Sequence, residues 1–149
     1  MKYDCIIVGA GSAGCVLANR LSENPNRRVL LLEAGPTDWH PFIHMPAGIA
    51  KLVGKKGVNW NYTTEPEPAL GNRRLWWPRG RVLGGSSSIN AMCYVRGVPA
   101  DYDGWARASG DDRWAWNNVL PVFKRSENNV RGAGEWHGVG GPLGVNDLL

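Results

Sequence analysis

The sequence predicts an α/β fold, in which a strand–helix–strand core is followed by extended loops. Three observations carry this. Cys5–Val8 is a continuous β-prone apolar run. Gly9, Gly11 and Gly14 follow it at the spacing G-x-G-x-x-G. Val29–Leu32 is a second apolar run, and the acid that ends it, Glu33, lies 19 residues beyond Gly14.

Each element follows from its residues. Four apolar residues without alternation suit a strand buried on both faces of a parallel sheet. Gly9 permits a tight turn, Gly11 lets the backbone approach a pyrophosphate, and Gly14 lets the next helix pack on the strand. The helix is predicted from about Ser12 to Ser22, with Gly14, Leu17, Ala18 and Leu21 forming one apolar face. Its free N–H groups and positive dipole end suit phosphate. Asn24-Pro25-Asn26 stops it. Strand, glycine turn, helix and second strand ending in an acid make the fingerprint of a dinucleotide-binding unit. A carboxylate at Glu33 suits a free ribose 2′-hydroxyl and repels a 2′-phosphate, which favours FAD or NAD over NADP.

Beyond Gly35 the regular pattern is lost. Residues 36–60 read as loop with one short helix around Ala47–Val53. Asn59–Thr64 and Leu75–Trp77 read as short extended pieces, separated by Glu65-Pro66-Glu67-Pro68. Pro78–Met92 holds Gly84-Gly85 and three serines among Val82, Leu83, Ile89 and Met92. Such a backbone can wrap closely around a ligand and offer N–H and hydroxyl donors. The serines could also cap a following helix. Pro99–Trp105 predicts a turn into a short helix, with Asp101 as N-cap and Trp105 packed inward. A further helix is expected from Asn117 or Asn118 to Ser126, with Pro121 in its first turn. Residues 128–141 read as a polar loop and Leu143–Val145 as a strand. No domain boundary is marked.

Composition excludes several classes. The chain has 149 residues, 43% hydrophobic and 20% charged, and its net charge is +4. The basic residues are scattered apart from Arg73, Arg74, Arg79 and Arg81, so no nucleic-acid partner is expected. Cys5, Cys15 and Cys93 lie among apolar or small residues and read as buried, reduced thiols. No spacing suggests a metal site, and His40 and His44 read as ordinary loop histidines beside Pro41 and Pro46. Asp4 and the glycines interrupt any leader-like run after Lys2. No stretch approaches membrane-spanning length. The expected location is the cytoplasm, with peripheral attachment to the inner face of a membrane left open.

The two informative stretches together resemble the N-terminal part of the glucose–methanol–choline (GMC) flavoprotein oxidoreductases, with the look of their choline and alcohol dehydrogenase branch. The matching residues are Ile6–Gly14, Leu31–Pro36, Asn59-Trp60, Pro78–Met92 and Pro99–Trp105. Leu120–Glu127, His137-Gly138 and Gly141–Leu143 add to them, so the resemblance covers essentially the whole chain. It implies an incomplete GMC FAD-binding domain, residues 1–149 being its N-terminal portion. It also implies that Gly9, Gly11, Ser12, Ala13 and Gly14 cradle the FAD pyrophosphate. Glu33, with Ala34 beside it, would hold the adenosine ribose. Val82, Gly85 and Ser86 would line the flavin, and Asn90, Ala91, Met92 and Cys93 would lie along its ring. Some family members attach the flavin through a His just before this Asn. That position is Ile89 here, so non-covalent FAD is expected.

The implied activity is oxidation of a small-molecule alcohol, with hydride passing to flavin N5 and then to an electron acceptor that the resemblance does not name. The family's proton-accepting His belongs to a later part of a longer chain, and His40, His44 and His137 do not match it. No catalytic residue is therefore assigned, and the 149 residues alone are expected to be inactive. Two readings stand: a fragment of an FAD-dependent alcohol or choline-type dehydrogenase, or a non-catalytic flavin-binding remnant or truncated product. An NAD enzyme fits the first stretch but leaves Gly84-Gly85 unexplained.

Overall fold

A computed structural model describes residues 2–147. The chain forms two compact units, Met1–Cys93 and Tyr94–Leu149, although no shift in composition marks the junction.

Unit 1 is built on the expected βαβ core. Strand β1 (Cys5–Val8) pairs in parallel with β2 (Val29–Leu32), Cys5 opposite Val29 and Val8 opposite Leu32. Helix α1 (Ser12–Leu21) connects them. The expectation of strands buried on both faces is corrected. Burial along β1 alternates, with Ile6 59% and Val8 84% exposed. The sheet has two strands and α1 covers one of its faces, while no described element covers the other. Leu17 on α1 is also exposed.

After β2 the chain makes 3₁₀ turns at Pro41–Ile43 and Pro46–Gly48, then the single-turn helix α2 (Ile49–Leu52). The short strands β3 (Tyr62–Thr63) and β4 (Trp76–Trp77) pair antiparallel. The core of the unit is Leu52, Val58, Val82 and Ile89, with Phe42 and Ile43 against it. Full burial of each such aliphatic side chain contributes about 1.5–3 kcal/mol. Ser86–Ser88 cap no following helix. They lie within a 3₁₀ turn of their own, Gly85–Ser88, whose entry residue Gly84 has φ +90°.

Unit 2 pairs helix α3 (Pro99–Ser109) with α4 (Trp116–Ser126). Tyr102 is their shared contact, 5.3 Å from the Trp116 ring and 5.6 Å from Phe123. Three expectations change here. Pro99 opens α3, so Asp101 sits in its first turn and accepts from Val98 N at 2.9 Å rather than standing at the N-cap. Trp105 is 55% exposed, because Tyr102 and Ala106 take the inward positions. Helix α4 starts one residue before the earlier expected start. Its first amide, Trp116 N, donates to Asp103 Oδ1 of α3 at 3.0 Å, and Pro121 falls inside the helix.

The polar segment after α4 begins with a strand the sequence does not reveal, β5 (Glu127–Asn129). It pairs in parallel with β6 (Leu143–Val145). The thiols also differ from expectation: Cys5 and Cys15 are half-buried, and Cys93 is exposed. No helix among the described residues is long and apolar enough to cross a membrane.

Candidate functional site

The site in unit 1 is assembled from the turn after β1, the start of α1, the end of β2 and the loop 82–93. Gly9 has φ +97°, which turns the chain from β1 into α1. A Cβ at Gly14 would lie 1.9 Å from Gly9 O, so only glycine lets α1 begin this close to the turn. A Cβ at Gly9 or Gly11 would instead meet open space. The backbone there forms an open cradle at the helix start. No side chain caps α1 and its first turn carries no acid. Helix geometry leaves the first N–H groups without intrahelical acceptors, so they are available to an anion.

Glu33 closes the cradle from the β2 side. Its Oε2 accepts from Ala10 N at 2.8 Å and its Oε1 from Gly35 N at 2.9 Å. An ionised carboxylate has about four acceptor sites, so each oxygen keeps capacity for a hydroxyl donor. Ala34 beside it is exposed.

The second informative stretch is folded directly onto the first. Gly84 N donates to Ala10 O at 2.8 Å, and Leu83 N to Pro36 O at 2.9 Å. The backbone at Gly85 is so close to the turn that a Cβ would lie 2.8 Å from Gly11 Cα. Ser12 Oγ and Ser87 Oγ are hydrogen-bonded across 75 residues. Ser86 Oγ accepts from Gly80 N at 3.1 Å. Val82 is fully buried in the core. Asn90, Ala91, Met92 and Cys93 form an exposed run, with Asn90 Oδ1 accepting from Met92 N at 2.8 Å and Met92 at φ +56°. The structure therefore brings Gly9, Gly11, Ser12, Gly14, Glu33 and Gly85 to one cradle. Ala13 is exposed beside Ser12 in the first turn of α1. Ser87 belongs to this convergence, although nothing in three consecutive serines distinguishes it.

The histidines are engaged in local structure. His40 Nδ1 accepts from Phe42 N at 3.3 Å, and His44 Nε2 lies 2.7 Å from Asp38 O. Among the described residues no group of three or more His, Cys, Asp or Glu is placed to hold a metal ion.

Unit 2 holds a buried ionic cluster of its own. Glu127 is fully buried, and its Oε2 accepts from Arg96 Nη2 at 2.6 Å and from Gly138 N at 2.9 Å. Its Oε1 accepts from Asn129 Nδ2 at 2.9 Å and lies 2.9 Å from His137 Nδ1. A carboxylate can only accept here, so this ring nitrogen carries the proton. Burial pushes the Glu127 carboxyl upward, but the hydrogen bonds from Asn129, Gly138 and His137 and the charge of Arg96 outweigh it and hold the pKa at about 2. A separate 510 Å³ groove is lined by Tyr102, Trp105, Trp114, Val122 and Phe123. Asp111 and Arg113 at its edge are paired with each other at 2.6 Å.

Comparison with known proteins gives a consistent result. The GMC oxidoreductase family model matches residues 3–148. An alcohol dehydrogenase [acceptor] of Pseudomonas putida is 56% identical over 98% of this chain, which corresponds to 26% of that protein. The mitochondrial choline dehydrogenase of Mus musculus is 49% identical over 97% of this chain and 25% of its own length. Crystalline pyridoxine 4-oxidase from Mesorbium loti superposes with a TM-score of 0.89 at 48% identity, over 96% of this chain and 28% of that one. The chain thus spans about a quarter of the relatives it matches, and its structural neighbours include FAD-dependent oxidoreductases.

Proposed function

The chain belongs to the GMC oxidoreductase family, and from that premise we propose that it is the FAD-binding portion of an enzyme oxidising a primary alcohol, choline-like or aliphatic, to the aldehyde. The observation that carries the proposal is the docking of Gly84–Ser88 onto the turn Gly9–Gly11 at the uncapped start of α1. A nucleotide-binding unit needs the turn alone. A second Gly- and Ser-rich loop held against it offers further N–H and hydroxyl donors to a cofactor that extends beyond its ADP half.

The residues divide the work by chemistry. The open backbone at Gly9 and Gly11, with the amides of Ser12, Ala13 and Gly14, binds the pyrophosphate by N–H donation and helix dipole. Glu33 accepts from the adenosine ribose with the lone pairs its two backbone bonds leave free, and Ala34 beside it leaves room. Ser86 borders the flavin end, with the buried Val82 and Gly85 fixing the loop beneath it, and the exposed run Asn90, Ala91, Met92 and Cys93 lies along the ring. FAD, when bound, supplies the hydride-accepting chemistry at N5. Ile89 stands where a covalent link would need a His, and its side chain is buried with Leu52 and Val58, so the cofactor is held non-covalently.

His40, His44 and His137 are each engaged locally, so proton removal from the alcohol is assigned to no residue of this chain. Turnover then belongs to a longer polypeptide, and these residues alone bind flavin without oxidising substrate. Titration of the chain with FAD, NAD and NADP, followed by flavin absorbance and calorimetry, tests the reading. The expected result is FAD binding, weaker or no NAD binding, and no reduction of bound flavin by choline or primary alcohols. Preference for NAD, or no binding of FAD, would overturn it.

A further inference from the structure

One face of the β3–β4 hairpin carries a row of rings and guanidinium groups that the cofactor site does not use. Tyr62 stands directly opposite Trp77 across the two strands. The pairing continues beyond them, where Trp60 N donates to Arg79 O at 2.9 Å and Arg81 N to Val58 O at 2.8 Å. Side chains two apart on a strand, and those directly opposite, share a face. Trp60, Tyr62, Trp77, Arg79 and Arg81 therefore lie on one side. The Trp60 and Tyr62 rings stack at 5.8 Å, Arg81 lies 5.1 Å over Trp60, and Arg79 lies 4.8 Å over Trp77.

Exposure and pairing show what this face lacks. Trp60 is 44%, Tyr62 51% and Trp77 46% exposed. Arg79 is exposed, and among the described residues neither Arg79 nor Arg81 forms an ion pair. The Nε of Arg81 is buried without an acceptor, so its guanidinium has hydrogen-bonding capacity unused. The neighbouring Arg74 is already paired with Glu65. Guanidinium groups held flat on rings have lost part of their freedom in advance, so a carboxylate meeting them costs less ordering. Trp, Tyr and Arg are also the residues that carry most of the binding energy at protein interfaces. The arginines cover ring faces on which a nucleobase would stack. At about half exposure, no ring of the row stands clear of the strands as an interfacial membrane anchor does.

We propose that this face of the hairpin docks an acidic polypeptide segment of a partner protein. Carboxylates of the segment pair with Arg79 and Arg81, and its apolar side chains pack on the exposed sides of Trp60, Tyr62 and Trp77. This docking is separate from cofactor binding and does not depend on it.

A fluorescein-labelled peptide of repeated Glu-Ser-Leu triplets, titrated with the full chain and read by anisotropy, tests the assignment. A Lys-Ser-Leu peptide of the same length is the charge-reversed control. The chain is expected to bind the Glu peptide and not the Lys peptide. Losing one hydrogen bond to a charged group corresponds to about tenfold in affinity. Arg79→Ala is expected to weaken the Glu peptide by about tenfold while keeping the melting temperature. Arg79→Lys, which keeps the charge without the planar fork, is expected to fall between that variant and the unmodified chain. Arg125→Ala, an exposed position on α4, is expected to leave the affinity unchanged. No binding of the Glu peptide, equal binding of both peptides, or the same loss in Arg125→Ala as in Arg79→Ala would overturn the proposal. Tighter binding of phosphatidylglycerol vesicles or of oligothymidine than of the Glu peptide would also overturn it, by assigning the face to a membrane or to nucleic acid.

Discussion

Glu33 Oε2 accepts a hydrogen bond from Ala10 N at 2.8 Å, which ties the end of β2 to the middle of the glycine turn after β1. The acid at this position is thus structural before any ligand arrives. One side chain fixes the turn and presents its remaining lone pairs at the cradle.

Replacing Glu33 with Gln tests this double role. The amide must turn one N–H₂ toward either Ala10 N or Gly35 N, so one of the two bonds is lost. Thermal unfolding should report a loss of about 1–2 kcal/mol. FAD affinity measured by calorimetry should fall together with stability. A variant with unchanged melting and unchanged affinity would refute both roles.

Gly14→Ala is expected to be the most damaging small change in unit 1. Its Cβ would lie 1.9 Å from Gly9 O, a backbone atom that cannot move aside without unpairing the turn. Overpacking of this kind costs about 1–3 kcal/mol. Circular dichroism melts should show that loss, with flavin binding abolished or nearly so. Native stability in the variant would mean that α1 does not pack on β1 as described.

Unit 2 has a defined pH response through Glu127. Its folded-state pKa, about 2, lies below the ordinary value of 4.5, so its contribution is complete above about pH 4.5 and is lost as pH falls toward 2. A difference of that size corresponds to about 3 kcal/mol. Protection of the Gly138 amide, which donates to Glu127, should be flat from pH 7 to 5 and decline below that. Arg96→Ala leaves a fully buried carboxylate without its cation and should destabilise the unit by about 3–5 kcal/mol. A smaller effect than that of an exposed pair such as Arg74–Glu65 would refute the cluster's role.

The proposed non-covalent attachment predicts where the colour goes. Acid precipitation of FAD-loaded protein should leave a colourless pellet and a yellow supernatant. Ile89→His should not change that outcome, because position 89 is 5% exposed and packed with Leu52, Val58 and Val82. The substitution should instead lower stability by about 1–3 kcal/mol through an unsatisfied buried ring. A yellow pellet from the unmodified chain would refute non-covalent binding.

Legibility in the sequence followed the range of the interactions. The bounds of β1, α1 and β2 were readable to within a residue, because apolar runs and glycine spacing act over a few positions. The position of α3 was readable, but its cap was not. Pro99 opens the helix, and α4 takes its cap from Asp103 on another helix, which no local pattern announces. Strand β5 was missed because Glu-Asn-Asn has no strand character on its own.

By itself the sequence determined the βαβ unit and the loop rich in Gly and Ser, since each rests on residues close together in the chain, and the two stretches together determined the family. Only the tertiary structure decided which hydroxyl of three reaches the start of α1 and which acid becomes a buried charge. Ser12 and Ser87 are 75 residues apart, and Glu127 is 31 from Arg96. A lone Ser or Glu is free to bond any neighbour, so its role is set by the partners folding brings within about 3 Å. Glycine spacing and apolar runs, by contrast, are already present in the chain before it folds.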